Sequence, residues 1–289
     1  MEGENVNDKG KLYICPTPIG NLEDITIRVL NTLKDVDLIA AEDTRHTLRL
    51  LNHFEIKKPL TSYHEHNKLE KSEILIEKLL DGENIALVSD AGMPGISDPG
   101  SDMVKNAIDN GIEVDVLPGA TASILALILS GLNTEKFVFE GFLPPKTNKR
   151  KERLEELKLE YRTIIFYESP HRIKSMLKDL LEVLGNRQIA VARELTKKYQ
   201  EIIRMHVENI IEKFEIENPK GEFVIVVEGI DKEKIEDIEE NLWDDLTIRE
   251  HILEYMKKGY SKKEAIKKVS SERNIKKRDV YRESIDIEI

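Results

Sequence analysis

The chain has one cysteine, Cys15, so it can form neither an intramolecular disulfide nor a cysteine-based zinc site. A reducing, cytoplasmic compartment suits such a sequence. No apolar run approaches the roughly 20 residues that a membrane helix needs. The first ten residues, MEGENVNDKG, are polar and acidic, and read as a loose tail rather than a signal peptide. Neither the dinucleotide fingerprint G-x-G-x-x-G nor the phosphate loop G-x-x-x-x-G-K-[ST] occurs, which disfavours a standard nucleotide-binding Rossmann domain. Positive charge is in deficit: 44 Lys and Arg stand against 55 Asp and Glu, for a net charge of -11. A protein that coats nucleic acid through non-specific phosphate contacts needs the opposite balance.

What positive charge there is lies in blocks. Residues 146–153 hold five basic residues against one acidic, and residues 257–282 hold eleven against three. Residues 231–245 hold eight acidic against two basic. The two basic blocks are the natural phosphate-contact faces if the partner is RNA. Trp243, the single tryptophan, falls in the acidic block and reads as a packing anchor.

The chain is organised around residues 88–100, V-S-D-A-G-M-P-G-I-S-D-P-G, which leave an apolar run at Ile85, Ala86 and Leu87. A strand that feeds a Gly-rich loop opening a helix sets backbone N–H and C=O groups against a ligand. Asp90 and Asp98 in that loop suit a ligand with hydroxyls or positive charge better than a phosphate. Around this stretch, strands at 11–15, 37–41, 59–63, 85–88 and 113–117 alternate with helices. The helices are placed at Ile27, Leu30 and Leu33, at Leu48, Leu51 and Phe54, over 68–81 with Leu69, Ile76 and Leu79 on one face, over 100–110, and from Ala122 to Leu129. Five such alternations predict a parallel sheet covered on both faces. After a linker at 131–136, strands are predicted at 137–142, 163–167, 188–192, 201–207 and 223–227, with a charged helix near 148–160; short connections here predict a mixed sheet. Residues 246–285 read as a small helical unit with two basic helices joined by a turn, in the manner of a helix-turn-helix. The expected domains are therefore 11–132, 133–230 and 246–289.

Six loop motifs, each just past a strand, carry a resemblance. P-T-P-I-G-N-L-E-D-I-T (16–26), A-E-D-T-R (41–45), S-D-A-G-M-P-G-I-S-D-P-G (89–100), P-G-A-T-A (118–122), F-Y-E-S-P-H-R (166–172) and A-R-E-L-T-K (192–197) together resemble the tetrapyrrole methylase superfamily. Within it they look most like the 16S rRNA (cytidine-2'-O)-methyltransferase branch. The match runs from 11 to 229, and the 246–285 segment resembles the branch's helix-turn-helix tail. Met93 departs from the usual Thr, and the N-terminal tail has no counterpart.

The resemblance implies S-adenosylmethionine as methyl donor, two α/β domains flanking a cofactor cleft, and a homodimer. The implied substrate is a cytidine ribose 2'-hydroxyl in the decoding region of 16S rRNA, within the small ribosomal subunit; no membrane or DNA partner is implied. Carried over residue by residue, the cofactor site comprises Asp90, Ala91, Gly92, Ile96, Thr121, Ala122, Tyr167 and Leu195, while the loop 16–20 faces the acceptor. For the chemistry, a base or a cation near the acceptor hydroxyl helps. Strand-end position and residue type point to Asp43 and Arg45 on the acceptor side and to Lys197 as the cation. Each could equally be part of a structural ion pair. Arg172 could hold an RNA phosphate or pair with an acidic neighbour. His64-x-His66 alone is a weak metal signal, and no metal is expected. Competing functions are a corrin or porphyrin-precursor methyltransferase of the same fold, a non-catalytic RNA-binding module and, more remotely, a nicotinamide or flavin enzyme.

Overall fold

The computed structural model describes residues 9–217, 219–231 and 246–287. Trp243, the acidic stretch 232–245 and the first eight residues of the tail lie outside them. The first sheet is built from β1 (Lys11–Ile14), β2 (Leu38–Ala41), β3 (Leu60–Ser62), β4 (Ile85–Val88) and β5 (Glu113–Val116). All its pairings are parallel, in the order β3-β2-β4-β1-β5. The intervening helices are α1 (Ile27–Asp35), α2 (Thr44–His53), α3 (Lys68–Leu80) and α4 (Gly100–Asp109). Strands β2 and β4 are buried along their whole length, as helices on both faces require. Val29, Leu33 and Leu51 of α1 and α2 pack on one face with Ile39, Ala86 and Val88. Leu75, Leu79, Met103 and Ala107 of α3 and α4 pack on the other with Leu12, Ile85 and Leu87. The chain thus leaves β1 and β4 toward opposite faces, and a crevice opens between their C-terminal ends. Cys15 lies in this core, where burial pushes its thiol up to about 12 and leaves it unreactive.

The predicted helices form, but in three of them the first residue expected on the buried face is exposed. Ile27, Leu48 and Leu69 are 77 %, 49 % and 83 % exposed. Leu33, Leu51, Ile76 and Leu79 are buried as expected, joined by Val29, by Thr47 and Leu50, and by Ser72 and Leu75.

Helix α5 (Ala122–Ser130) follows β5 yet packs on the second sheet, where Ala126 and Leu127 meet Ile165, Ala190, Val224 and Val226. That sheet comprises β6 (Phe137–Phe142), β7 (Thr163–Glu168), β8 (Gln188–Arg193), β9 (Glu201–His206) and β10 (Phe223–Val227), in the order β6-β7-β10-β8-β9. It is mixed: β6 and β7 are parallel and the other pairs antiparallel. Its far face is covered by α6 (Thr147–Glu156), α7 (Ile173–Leu184) and α8 (Val207–Ile216). Helix α8 is absent from the sequence expectation, although Val207, Ile210 and Phe214 keep a helical period.

The two sheets form one compact unit. A second unit holds 158–161 and the C-terminal helices α9 (Ile248–Lys257), α10 (Lys262–Glu272) and α11 (Lys277–Glu283), three helices where two were expected. Capping boxes, Thr247 with Glu250 and Ser261 with Glu264, start α9 and α10. Ile252, Ile266, Val269 and Val280 form their core. Among the described residues no helix is long and apolar enough to cross a membrane.

Candidate active site

The loops after β1 and β4 are stitched together. Thr17 and Gly92 exchange backbone hydrogen bonds of 2.9 and 3.0 Å, and the Thr17 hydroxyl donates to the Ser89 carbonyl. Gly92 has φ +81, and a Cβ there would lie 3.2 Å from Ile19 Cγ2 and 3.4 Å from the Ala120 carbonyl oxygen. Only glycine takes this conformation and this closeness without strain. One Asp98 oxygen accepts the Gly95 and Gly100 N–H groups, each at 2.8 Å, which fixes the turn into α4. The Asp43 N–H donates to Asp90 Oδ1 at 2.9 Å, tying the β2 loop to the β4 loop.

These loops and the facing end of the second sheet enclose a cavity of about 530 Å³. Seven of the eight expected cofactor residues line it: Asp90, Ala91, Gly92, Ile96, Thr121, Ala122 and Tyr167. Leu195 instead lines a small adjoining pocket of about 40 Å³ with Ile19, Ala122 and Val224. The Tyr167 ring is braced edge-on by Phe139 at 5.0 Å and Phe142 at 5.6 Å. Helix α5 starts at the cavity wall with no side-chain cap, so backbone N–H groups are left for an anionic group. Glu42 also lines the cavity; burial, with the Asp90 charge adding to it, raises its pKa.

Strand-end reasoning missed Glu222, Phe223 and Val224, which also line the cavity. Because β10 runs antiparallel, its first residues sit at the last residues of its neighbours, Phe223 pairing with both Glu168 and Arg193. Glu168, another lining residue and 2 % exposed, pairs with the Arg172 guanidinium at 3.2 Å. Arg172 donates to the Leu143 carbonyl at 2.6 Å as well, so it braces this wall rather than reaching for RNA.

A second cavity, of about 410 Å³, lies against the first and shares Ile19, Ser89, Asp90, Ala91 and Glu222 with it. Lys197 is on its wall, 3.1 Å from Glu194 and 3.8 Å from Glu222. Gly20 approaches the Lys197 turn so closely that a Cβ would fall 2.5 Å from Lys197 Cγ. In that turn Glu194 (φ 51) and Thr196 (φ 62) are left-handed, a strained backbone held by the Asn21 N–H bond to Thr196 Oγ1 at 3.0 Å.

Asp43 and Arg45 line neither cavity. Asp43 caps α2 by accepting the Arg45 N–H at 2.8 Å, and its other oxygen pairs with the Arg45 guanidinium at 2.8 Å. These bonds hold its carboxyl far below the usual carboxylate range, which makes it a feeble proton acceptor. The basic block 146–153 is largely neutralised too. Arg150 is buried against Asp179, Lys151 pairs with Glu182, and Arg153 pairs with Glu140 and Glu156. His64 and His66 stand with ring centres 6.1 Å apart, and among the described residues no three His, Cys, Asp or Glu side chains gather as a metal-ligand set.

Residues 11–211 match the family model of the tetrapyrrole (corrin/porphyrin) methylases. The chain is 52 % identical to "Ribosomal RNA small subunit methyltransferase I" of Halalkalibacterium halodurans over 95 % of its own length and 94 % of that protein's. It is 52 % identical to the Bacillus subtilis protein of the same name, over 97 % and 96 %. In fold it is similar to the solved structure of uroporphyrin-III C-methyltransferase from Thermus thermophilus complexed with S-adenosyl homocysteine. That likeness has a TM-score of 0.54 at 18 % identity, covering 75 % of this chain and 97 % of the other.

Proposed function

From the premise that this chain belongs to the tetrapyrrole methylase family, we propose that it methylates the ribose 2'-hydroxyl of a cytidine in the decoding region of 16S rRNA, with S-adenosylmethionine as donor. The observation that carries the reading is the pair of adjoining cavities with a common wall at Asp90, Ala91 and Ile19. One chamber holds a donor, the other admits an acceptor, and the reacting atoms meet at the wall they share. The relatives named as small-subunit rRNA methyltransferases match over almost the whole chain, the C-terminal helices included.

The larger chamber fits the donor. Its volume lies in the range of small-molecule sites. Carboxylates at Glu42 and Asp90 suit the sulfonium and ammonium charges, the uncapped start of α5 suits a carboxylate, and Tyr167 with Phe142 offers an aromatic wall to a purine. Thr121 and Ala122 close the rest, and Leu195 lines the small pocket beside it. Bound there, S-adenosylmethionine supplies an electrophilic methyl group. The chain's part is to align and desolvate: Ile19 and Ala91 exclude water from the shared wall, and the stitched β1 and β4 loops hold it rigid. Lys197 is the cation placed to favour a developing alkoxide. Asp43 and Arg45 act one step back: Asp43 caps α2, and its N–H orients Asp90.

The reading extends to a small-subunit particle as substrate, a cytoplasmic setting and a homodimer. Ile124 and Ile128, one turn apart on α5 and 41 % and 67 % exposed, offer an apolar contact for a second copy. Ile128→Glu should then sediment as a monomer.

The test of function is transfer of a labelled methyl group from S-adenosylmethionine to small ribosomal subunits lacking the modification, followed by nuclease mapping. Label on one decoding-region cytidine ribose is the expected result. Cofactor binding without transfer to particle or free rRNA would move the assignment to a small-molecule acceptor.

A further inference from the structure

We propose that Arg49 and His46 grip the phosphate next to the methylated nucleotide, so that the compact α/β unit itself positions the RNA. This rests on the rRNA reading above. Both residues line the acceptor cavity, three apart on α2 and therefore on one face of that helix.

The charge arrangement singles out Arg49. In an acidic chain most cations near carboxylates are taken. Arg45, one turn before Arg49 on α2, is paired with Asp43, and Lys197 across the cavity lies between Glu194 and Glu222. Arg49 has no carboxylate partner among the described residues, yet it stands on a cavity wall. A guanidinium left unpaired beside a chamber that opens onto the reacting centre suits an incoming phosphate, which it can take bidentately. The imidazole of His46 adds an N–H donor beside it.

Electrostatics also fixes the direction of entry. Asp90 and Glu222, on the inner wall shared with the donor chamber, repel a phosphate. The phosphate is therefore kept at the α2 rim, while the ribose hydroxyl, a hydrogen-bond donor, is welcome at the carboxylates. Ile19, Leu22 and Leu50 give the base an apolar surface between them. The nucleotide enters with its ribose leading.

The test uses the full-length chain, with small subunits lacking the modification as substrate. Arg49→Gln should raise KM for the subunits about tenfold, with kcat and the Kd for S-adenosylmethionine unchanged. The slope of log KM against log salt should shrink by about 0.7–0.9, as for one lost phosphate contact. His46→Ala should raise KM by a smaller factor with the slope kept, and Arg49→Lys should retain most of the affinity. Lys105→Gln, the same charge change on α4 across the sheet, should alter nothing. Unchanged KM and salt slope in Arg49→Gln, with wild type active, would overturn the inference alone. So would a fall in kcat or in cofactor affinity at constant KM. A wild-type protein that binds cofactor but methylates no RNA would take down the functional reading and this inference together.

Discussion

Asp179→Asn keeps the shape of a side chain and removes its charge, and it separates two views of the basic block 146–153. Arg150 is 2 % exposed and Asp179 7 %. The guanidinium gives Asp179 Oδ2 two bonds, from Nε at 2.7 Å and from Nη2 at 2.5 Å, and a third to the Pro145 carbonyl at 3.3 Å. Without the carboxylate charge, a buried cation is left uncompensated at the α6–α7 contact. Breaking such a pair costs about 3–5 kcal/mol, whereas an exposed pair costs below about 1 kcal/mol. For a domain of about 150–250 residues that is a fall in Tm of about 6–20 °C. The double variant Arg150→Met with Asp179→Leu, apolar on both sides, should recover most of the loss. Urea unfolding followed by far-UV circular dichroism reads all three, and KM for RNA is measured on the folded fraction. A loss below about 1 kcal/mol in Asp179→Asn would refute the clamp. An increase in KM with stability intact would return this helix to the RNA interface.

Asp43→Asn should keep the single-turnover rate within about threefold, because Asn also caps a helix; a loss of about 100-fold or more would make Asp43 the base after all. Gly92→Ala forces a side chain into φ +81 against Ile19; we expect about 1–2 kcal/mol lost from unfolding and a weakened calorimetric Kd for S-adenosylmethionine. The raised pKa of Glu42 means that the folded chain holds this proton to higher pH than the unfolded chain. The stability so conferred is full below the ordinary value of 4.5 and is lost as pH rises through the folded value; Glu42→Gln should remove that loss from the pH dependence of the urea midpoint. Deleting residues 246–289 should raise KM for the small subunit and leave cofactor binding unchanged, as equilibrium dialysis would show; equal KM would exclude the C-terminal helices from RNA contact.

The alternation of strands and helices was plain in the sequence because β2 and β4 are unbroken apolar runs between turn residues, a signal that survives without alignment. Helix phase was harder to read. Ile27 and Leu69 are large and apolar, but each belongs to the first turn of its helix, just off the buried stripe. The strand reading of 201–207 overran by one residue into Val207, where α8 begins. Loop chemistry pointed to residues that line the larger cavity because glycines and aspartates past strand ends are unusual enough to notice. Glu222 to Val224 escaped because an antiparallel strand delivers its beginning, not its end, to the same edge. His46 and Arg49 escaped because exposed polar residues on a helix look alike until the fold shows what they border.

In the second sheet the last strand in the sequence is the middle strand in space. β10 lies between β7 and β8, and both depend on it for pairing. A chain emerging from the ribosome therefore holds two apolar strand edges open until residue 227 is available, and such edges are where chains stick to one another. The same strand brings Phe223 and Val224 to the wall of the larger cavity. A fragment that ends short of β10 leaves both of those edges unpaired and lacks two residues of the cavity wall, so closure of the sheet and completion of the cavity are one event.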